Sequence, residues 1–150
     1  MKKVFFSLLF SGLSIFSLSH AAIEGERFKQ SEEAVKEATY GHIDAKGLKS
    51  LIDSQTHFTL VDARGNQWTD GNIIPGAILA AYIDPAEELE ALMPYKNDLV
   101  VLYCYSFNCP LSGKLAQKLL SIGYTNIIEY PAGLTEWRDI AGYPVDHITR

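Results

Sequence analysis

The spacing of apolar positions changes several times along the chain, and each change marks an element. Residues 4–18 are almost wholly apolar behind Lys2 and Lys3, whereas residues 22–40 are polar and charged with little periodicity. From residue 45, AKGLKSLI sets Leu48, Leu51 and Ile52 on one helical face. HFTLVDAR is a short apolar run ended by charge, which predicts a buried strand with Asp62 at its C-terminal end. GNQWTDGNIIPGA follows as a loop rich in turn formers, and residues 77–81 predict a short strand. Asp84 and Pro85 open a helix running through Met93, with Asp84 capping free amides, Pro85 in the first turn and Pro94 helping to stop it. LVVLY, residues 99–103, is apolar without alternation, the pattern of a strand covered on both faces. Leu111, Leu115 and Leu119 mark one face of a helix that starts near Pro110, with Ala116 and Leu120 beside them and Gly123 at its stop. Residues 126–129 predict a further strand, and GLTEWRDI, residues 133–140, a short last helix.

Strands alternating with helices in this way predict an α/β domain with helices on both faces of a mainly parallel sheet. The first residues change the cellular picture. A positive start, an apolar run and the small-x-small triplet Ser19-His20-Ala21 read as a secretory signal peptide cut after Ala21. The run is shorter than the roughly 20 residues of a spanning helix, so the mature form is expected not to span a membrane; an uncleaved anchor is the alternative. Residues 22–41 are then a tether or short helix, residues 42–150 the domain, and the destination periplasmic or secreted. The formal charge of -5 becomes -7 once Lys2 and Lys3 are gone. That balance argues against nucleic acid as a partner, because such binding begins with phosphate neutralisation.

The 2 cysteines are too few for a disulfide scaffold or a Cys₄ zinc site, and both lie in one stretch, LYCYSFNCPLSG. Cys104 directly follows the apolar strand, so it belongs at the C-terminal sheet edge where α/β domains bind ligands. The loop Tyr105, Ser106, Phe107 and Asn108 must turn sharply into the next helix. Its amides and the helix N-terminus make an anion cradle in which a thiolate is stabilised. The alternative is a buried thiol ending a core strand. Cys109 precedes Pro110, which suits the first helical position, so Cys109 falls near the N-cap. It is open to being a resolving thiol, a second sulfur acceptor or a structural clip, and a disulfide needs Cα atoms within about 7 Å. A two-thiolate Cu(I) site is chemically allowed, but His42, His57 and His147 are scattered, so no metal or other cofactor is expected.

Three stretches resemble a rhodanese-like domain, over roughly residues 42–145. LVDARGNQWTDGNIIPGA is similar to the family's Asp-x-Arg followed by Ile-Pro-Gly-Ala. VVLYC is similar to the strand that runs into its cysteine, and LLSIGYTNIIEYPAGLTEWRDIAGYPV to its tail of Gly-aromatic, Asn, Gly, Trp and Ala-Gly-x-Pro-Val. The resemblance implies sulfur transfer. Cys104 falls on the nucleophile, which would take the outer sulfur of a donor such as thiosulfate, release sulfite and hold a persulfide for a thiol or cyanide acceptor. Asp62 and Arg64 fall on a pair implied to fix the neighbouring loop. Trp137 is expected in the core or as pocket support.

The chain also departs from the family pattern. Phe107 stands where a glycine is usual, and Cys109 and Pro110 where Arg-Ser would fall. Asn72 and Ile73 replace Gly-His, and Trp68 replaces an acidic residue. The loop resembles a paired-cysteine branch, Cys-x4-Cys followed by x-Leu-Ser. The missing arginine weighs against related phosphatases and arsenate reductases, and Lys114 is expected to face solvent instead of replacing it. Ser106 is a candidate donor to a persulfide, Ser112 a cap within the first helical turn, and Tyr105 and Phe107 candidate pocket walls; an outward Phe107 would instead meet a protein partner. Three readings follow: an exported sulfurtransferase acting on a small anionic sulfur donor and a thiol acceptor; a thiol-disulfide protein using Cys104 and Cys109; and a non-catalytic sulfur-carrying or binding module. Its partner would be an exported redox or sulfur-carrier protein.

Overall fold

The computed structural model describes residues 40–149, so the expected signal peptide and nearly all of the expected tether lie outside the described residues. Five strands form a parallel sheet: β1 (Gly41–His42), β2 (Thr59–Asp62), β4 (Ile78–Leu79), β5 (Val100–Tyr103) and β6 (Ile127–Tyr130), in the order β1-β6-β5-β2-β4. β5 lies at its centre, paired along its length with β2 and β6.

The unbroken apolar run of β5 is explained by its two faces. Leu102 and Val100 join Val61, Leu115, Ala116 and Leu119 in one core, while Val101 and Tyr103 join Leu48, Leu60, Leu134 and Trp137 in the other. The first core lies under α3 (Ala86–Leu92) and α4 (Leu111–Ser121), the second under α1 (Ala45–Asp53) and the segment after β6. Helices therefore cover both faces, as the alternation implied.

The helix ends have identifiable causes. Asp44 accepts from the Gly47 N–H and caps α1. At the end of α4, the Gly123 N–H donates to the Leu120 carbonyl and the Tyr124 N–H to that of Leu119, a Schellman closure made possible by Gly123 at φ +97°. Asp84 does not cap α3 as expected. Its carboxylate accepts instead from the Ala81 N–H at 2.6 Å, and Pro85 occupies the capping position. Glu87 and Glu88 supply negative charge in the first turn.

Further differences concern short pieces. The loop after β2 contains a one-turn helix, α2 (Gly65–Trp68), and a strand, β3 (Asn72–Ile73), which pairs antiparallel with β7 (Asp146–His147). The last helix, Thr135–Ile140, is wound as a π-helix. Such short segments hold their shape through tertiary bonds, here Ile148 N–H to Gly71 O, rather than through periodicity.

Candidate active site

From β2 the chain moves outward to β4, then returns past β2 to β5 on its other side. The C-terminal ends of β2 and β5 therefore straddle a topological switch point, where connections diverge and a crevice opens. β2 ends at Asp62 and runs on into Ala63-Arg64, and β5 ends at Tyr103, directly before Cys104.

Cys104 is fully buried, and the chain turns so tightly beyond it that the Cys109 N–H donates to the Ser106 carbonyl at 2.9 Å. The turn brings Cys109, half-buried, back onto Cys104. The two are joined as a disulfide with Cα atoms 6.1 Å apart, inside the usual range. α4 begins at Leu111, one residue later than expected, with Pro110 at the N-cap. No backbone acceptor among the described residues takes the N–H of Tyr105, Ser106, Phe107 or Asn108. Among the described residues no side-chain acceptor takes these four amides either.

The loop is held from the opposite side by residues 133–135. Leu134 N–H donates to the Cys104 carbonyl at 3.0 Å, and both the N–H and hydroxyl of Thr135 donate to the Tyr105 carbonyl at 2.9 Å. Gly133 makes this approach possible. It sits at φ +62°, and a Cβ there would collide with the Cys104 carbonyl oxygen.

Asp62 and Arg64 form a buried, forked ion pair, with Arg64 Nε donating to Asp62 Oδ1 at 2.9 Å and Nη2 to Oδ2 at 2.6 Å. Nη1 also donates to Asp70 Oδ1 and Nη2 to the Asn72 carbonyl, so Arg64 also clamps the loop after β2. Burial disfavours its charge, but hydrogen bonds and charge from Asp62, with Asp70 behind, hold its pKa above the ordinary range. Its face lies 5.8 Å from the centre of the Tyr105 ring, which links the pair to the cysteine loop.

Other loop residues divide by exposure. Phe107 points outward, 74% exposed, and stands between two shallow clefts. One, of about 530 Å³, is lined by His42, Asp44, Pro131, Ala132 and Glu136; the other, about 220 Å³, by Ser106, Asn108, Thr135 and Ile140. Neither cysteine lines them. Ser112 does not cap α4: its hydroxyl donates to Glu129 Oε1 at 2.7 Å, and the same carboxylate meets His42 Nε2 at 3.3 Å. A capping role would have required Ser112 two residues earlier. Lys114 is exposed over the Tyr82 ring, 5.0 Å from its centre, and Trp137 is buried in the core with Nε1 donating to the Pro144 carbonyl. Among the described residues no group of three His, Cys, Asp or Glu is placed to hold a metal ion, and no helix is long and apolar enough to cross a membrane.

Two positioning residues were missed from sequence. Tyr103, immediately before Cys104, accepts the Ile74 N–H at 2.9 Å; burial first, then the Asp62 carboxylate, push its pKa above the phenol range. A tyrosine inside an apolar run signals such a polar partner. Arg138 forms a two-bond ion pair with Asp139, at 2.6 and 3.0 Å, and that carboxylate first, with the neighbouring Tyr105 hydroxyl second, holds its pKa above the ordinary range.

Residues 44–140 match the family model described as Rhodanese-like domain. No significant match is found among curated proteins. Among solved structures, the chain is similar to a Bacillus halodurans protein at 21% identity and TM-score 0.64, over 83% of this chain and 86% of that one. It is also similar to a rhodanese-like domain from Anabaena (24%, TM-score 0.60, 73% and 81% covered). A thiosulfate sulfurtransferase from Pseudomonas aeruginosa matches at 21% identity and TM-score 0.59 over 86% of this chain, which spans 22% of that protein's length. At these identities the structural likeness speaks for the fold.

Proposed function

The chain belongs to the rhodanese-like domain family, and from that premise we propose that it is a sulfurtransferase with Cys104 as nucleophile. The observation that carries the reading is the position of Cys104, directly beyond the central strand, at the switch point and ahead of the α4 N-terminus. Once the disulfide is reduced, the Cys104 thiolate attacks the outer sulfur of thiosulfate or a related small anion. Sulfite leaves, and a persulfide remains for a thiol or cyanide acceptor. Free amides of Tyr105, Ser106, Phe107 and Asn108 stabilise the charge on the sulfur. Asp62 and Arg64 position the loop through Tyr105. Ser106 offers a hydroxyl on the loop, and Pro110 caps the helix whose dipole faces the thiolate.

The same proposal includes export. Residues 1–21 act as a signal peptide, so the single domain works in the periplasm or outside the cell, where an open cysteine pair needs a source of electrons. A second reading, thiol-disulfide exchange by Cys104 and Cys109, is favoured by their disulfide. Steady-state release of sulfite from thiosulfate, with a dithiol as acceptor, tests the first reading. Reduced wild-type protein turns over, and Cys104→Ser, with unchanged circular dichroism, falls to background. Equal turnover in the two proteins would contradict it.

A further inference from the structure

The position of the second cysteine determines the fate of the sulfur, if Cys104 carries a persulfide as proposed above. Cys109 is returned by its turn to bonding contact with the Cys104 sulfur itself. Cys104 is fully buried and Cys109 half-buried, so solvent reaches the pair from the Cys109 side. Cys109 is therefore the thiol already in place beside any sulfur carried on Cys104. We propose that Cys109 resolves the persulfide internally, making the protein a dithiol-dependent reductase that releases sulfide.

The steps balance. Cys104 Sγ forms a bond to the outer sulfur of thiosulfate, the S–S bond of the donor breaks, and sulfite leaves with the electron pair. Cys109 Sγ, as thiolate, then attacks Cys104 Sγ. The bond between Cys104 Sγ and the outer sulfur breaks, and that sulfur departs as hydrosulfide with the pair. The sulfane sulfur gains two electrons, and the two cysteines lose two in forming their disulfide. A dithiol attacks the more exposed Cys109 sulfur, Cys104 leaves as the thiolate beside the loop amides, and the second thiol of the reductant closes its own disulfide. Overall, thiosulfate and a dithiol become sulfite, hydrogen sulfide and a disulfide.

The experiment is a single turnover. Reduced protein is freed of small thiols and mixed with thiosulfate, and sulfite, sulfide and intact mass are measured. Wild type is expected to give sulfite and sulfide in equal amounts and to end about 2 Da below the reduced mass, whereas Cys109→Ser gives sulfite without sulfide and gains about 32 Da. Wild-type protein that releases sulfite, keeps the added sulfur and yields no matching sulfide would overturn the inference and leave the sulfurtransferase reading intact. Failure of both proteins to release sulfite would overturn both. Cys109→Ala serves if Cys109→Ser does not fold, and the wild-type ratio alone decides the matter if neither does.

Discussion

Arg64 and Gly133 do most to fix the loop at the level of single side chains. Arg64 joins Asp62, Asp70, the Asn72 carbonyl and the Tyr105 ring. Arg64→Met would leave the Asp62 carboxylate buried and unpaired, a change that costs about 3–5 kcal/mol. Denaturant unfolding should read a loss of that size, with sulfur transfer reduced in whatever remains folded. The Asp-x-Arg spacing was visible in the sequence, but its geometry was not, because Asp70 and Asn72 are recruited through a loop of no regular period. Gly133 was part of a recognised tail, yet its role depends on the backbone of residue 104, far away in sequence. Gly133→Ala combines a left-handed backbone with collision against the Cys104 carbonyl and should cost about 1–3 kcal/mol together with activity.

Among the elements, α4 links stability to chemistry through its two ends. Its N-terminus receives the cysteine loop, and its C-terminus closes on Gly123. A Cβ at Gly123 meets only the Lys96 side chain at ordinary contact, so the penalty of Gly123→Ala is that of the φ alone, about 1 kcal/mol. This variant should melt earlier yet transfer sulfur at the wild-type rate, in contrast to Gly133→Ala; loss of activity at both positions would mean that α4 as a whole sets the loop. Periodicity revealed α1, α4 and β5 because each buries a regular stripe or both its faces. It missed β1, β3 and β7, two-residue strands whose partners lie far away in sequence. It also misassigned Asp84, whose carboxylate turns back to the Ala81 N–H three residues earlier, and Ser112, whose hydroxyl takes a tertiary partner in Glu129 instead of a helix amide.

For the whole molecule, acid stability follows from the same network. Burial opposes the Asp70 charge, but the Asn72 N–H and Arg64 outweigh it and hold the pKa below its ordinary 3.8. A group shifted down stabilises the fold fully above its unfolded pKa, and this contribution disappears as pH falls through the lower folded value. Melting temperature should therefore drop below about pH 4, and Asp70→Asn should flatten that limb. With the Asp70 side chain 41% exposed, solvent limits the effect to a fraction of a kcal/mol. The α/β architecture and the placing of Cys104 after a central strand were legible because alternation and an unbroken apolar run encode them. The closure of Cys109 onto Cys104 was left open, because spacing alone does not say how a four-residue loop turns.

The central claim, that Cys104 takes a sulfur atom, is tested most directly by the intact mass of reduced Cys109→Ser protein before and after thiosulfate, and again after cyanide. A gain of about 32 Da that cyanide removes, and that vanishes when Cys104 is also replaced by serine, is the predicted result. No gain in a folded protein, or a gain that survives loss of Cys104, would contradict it.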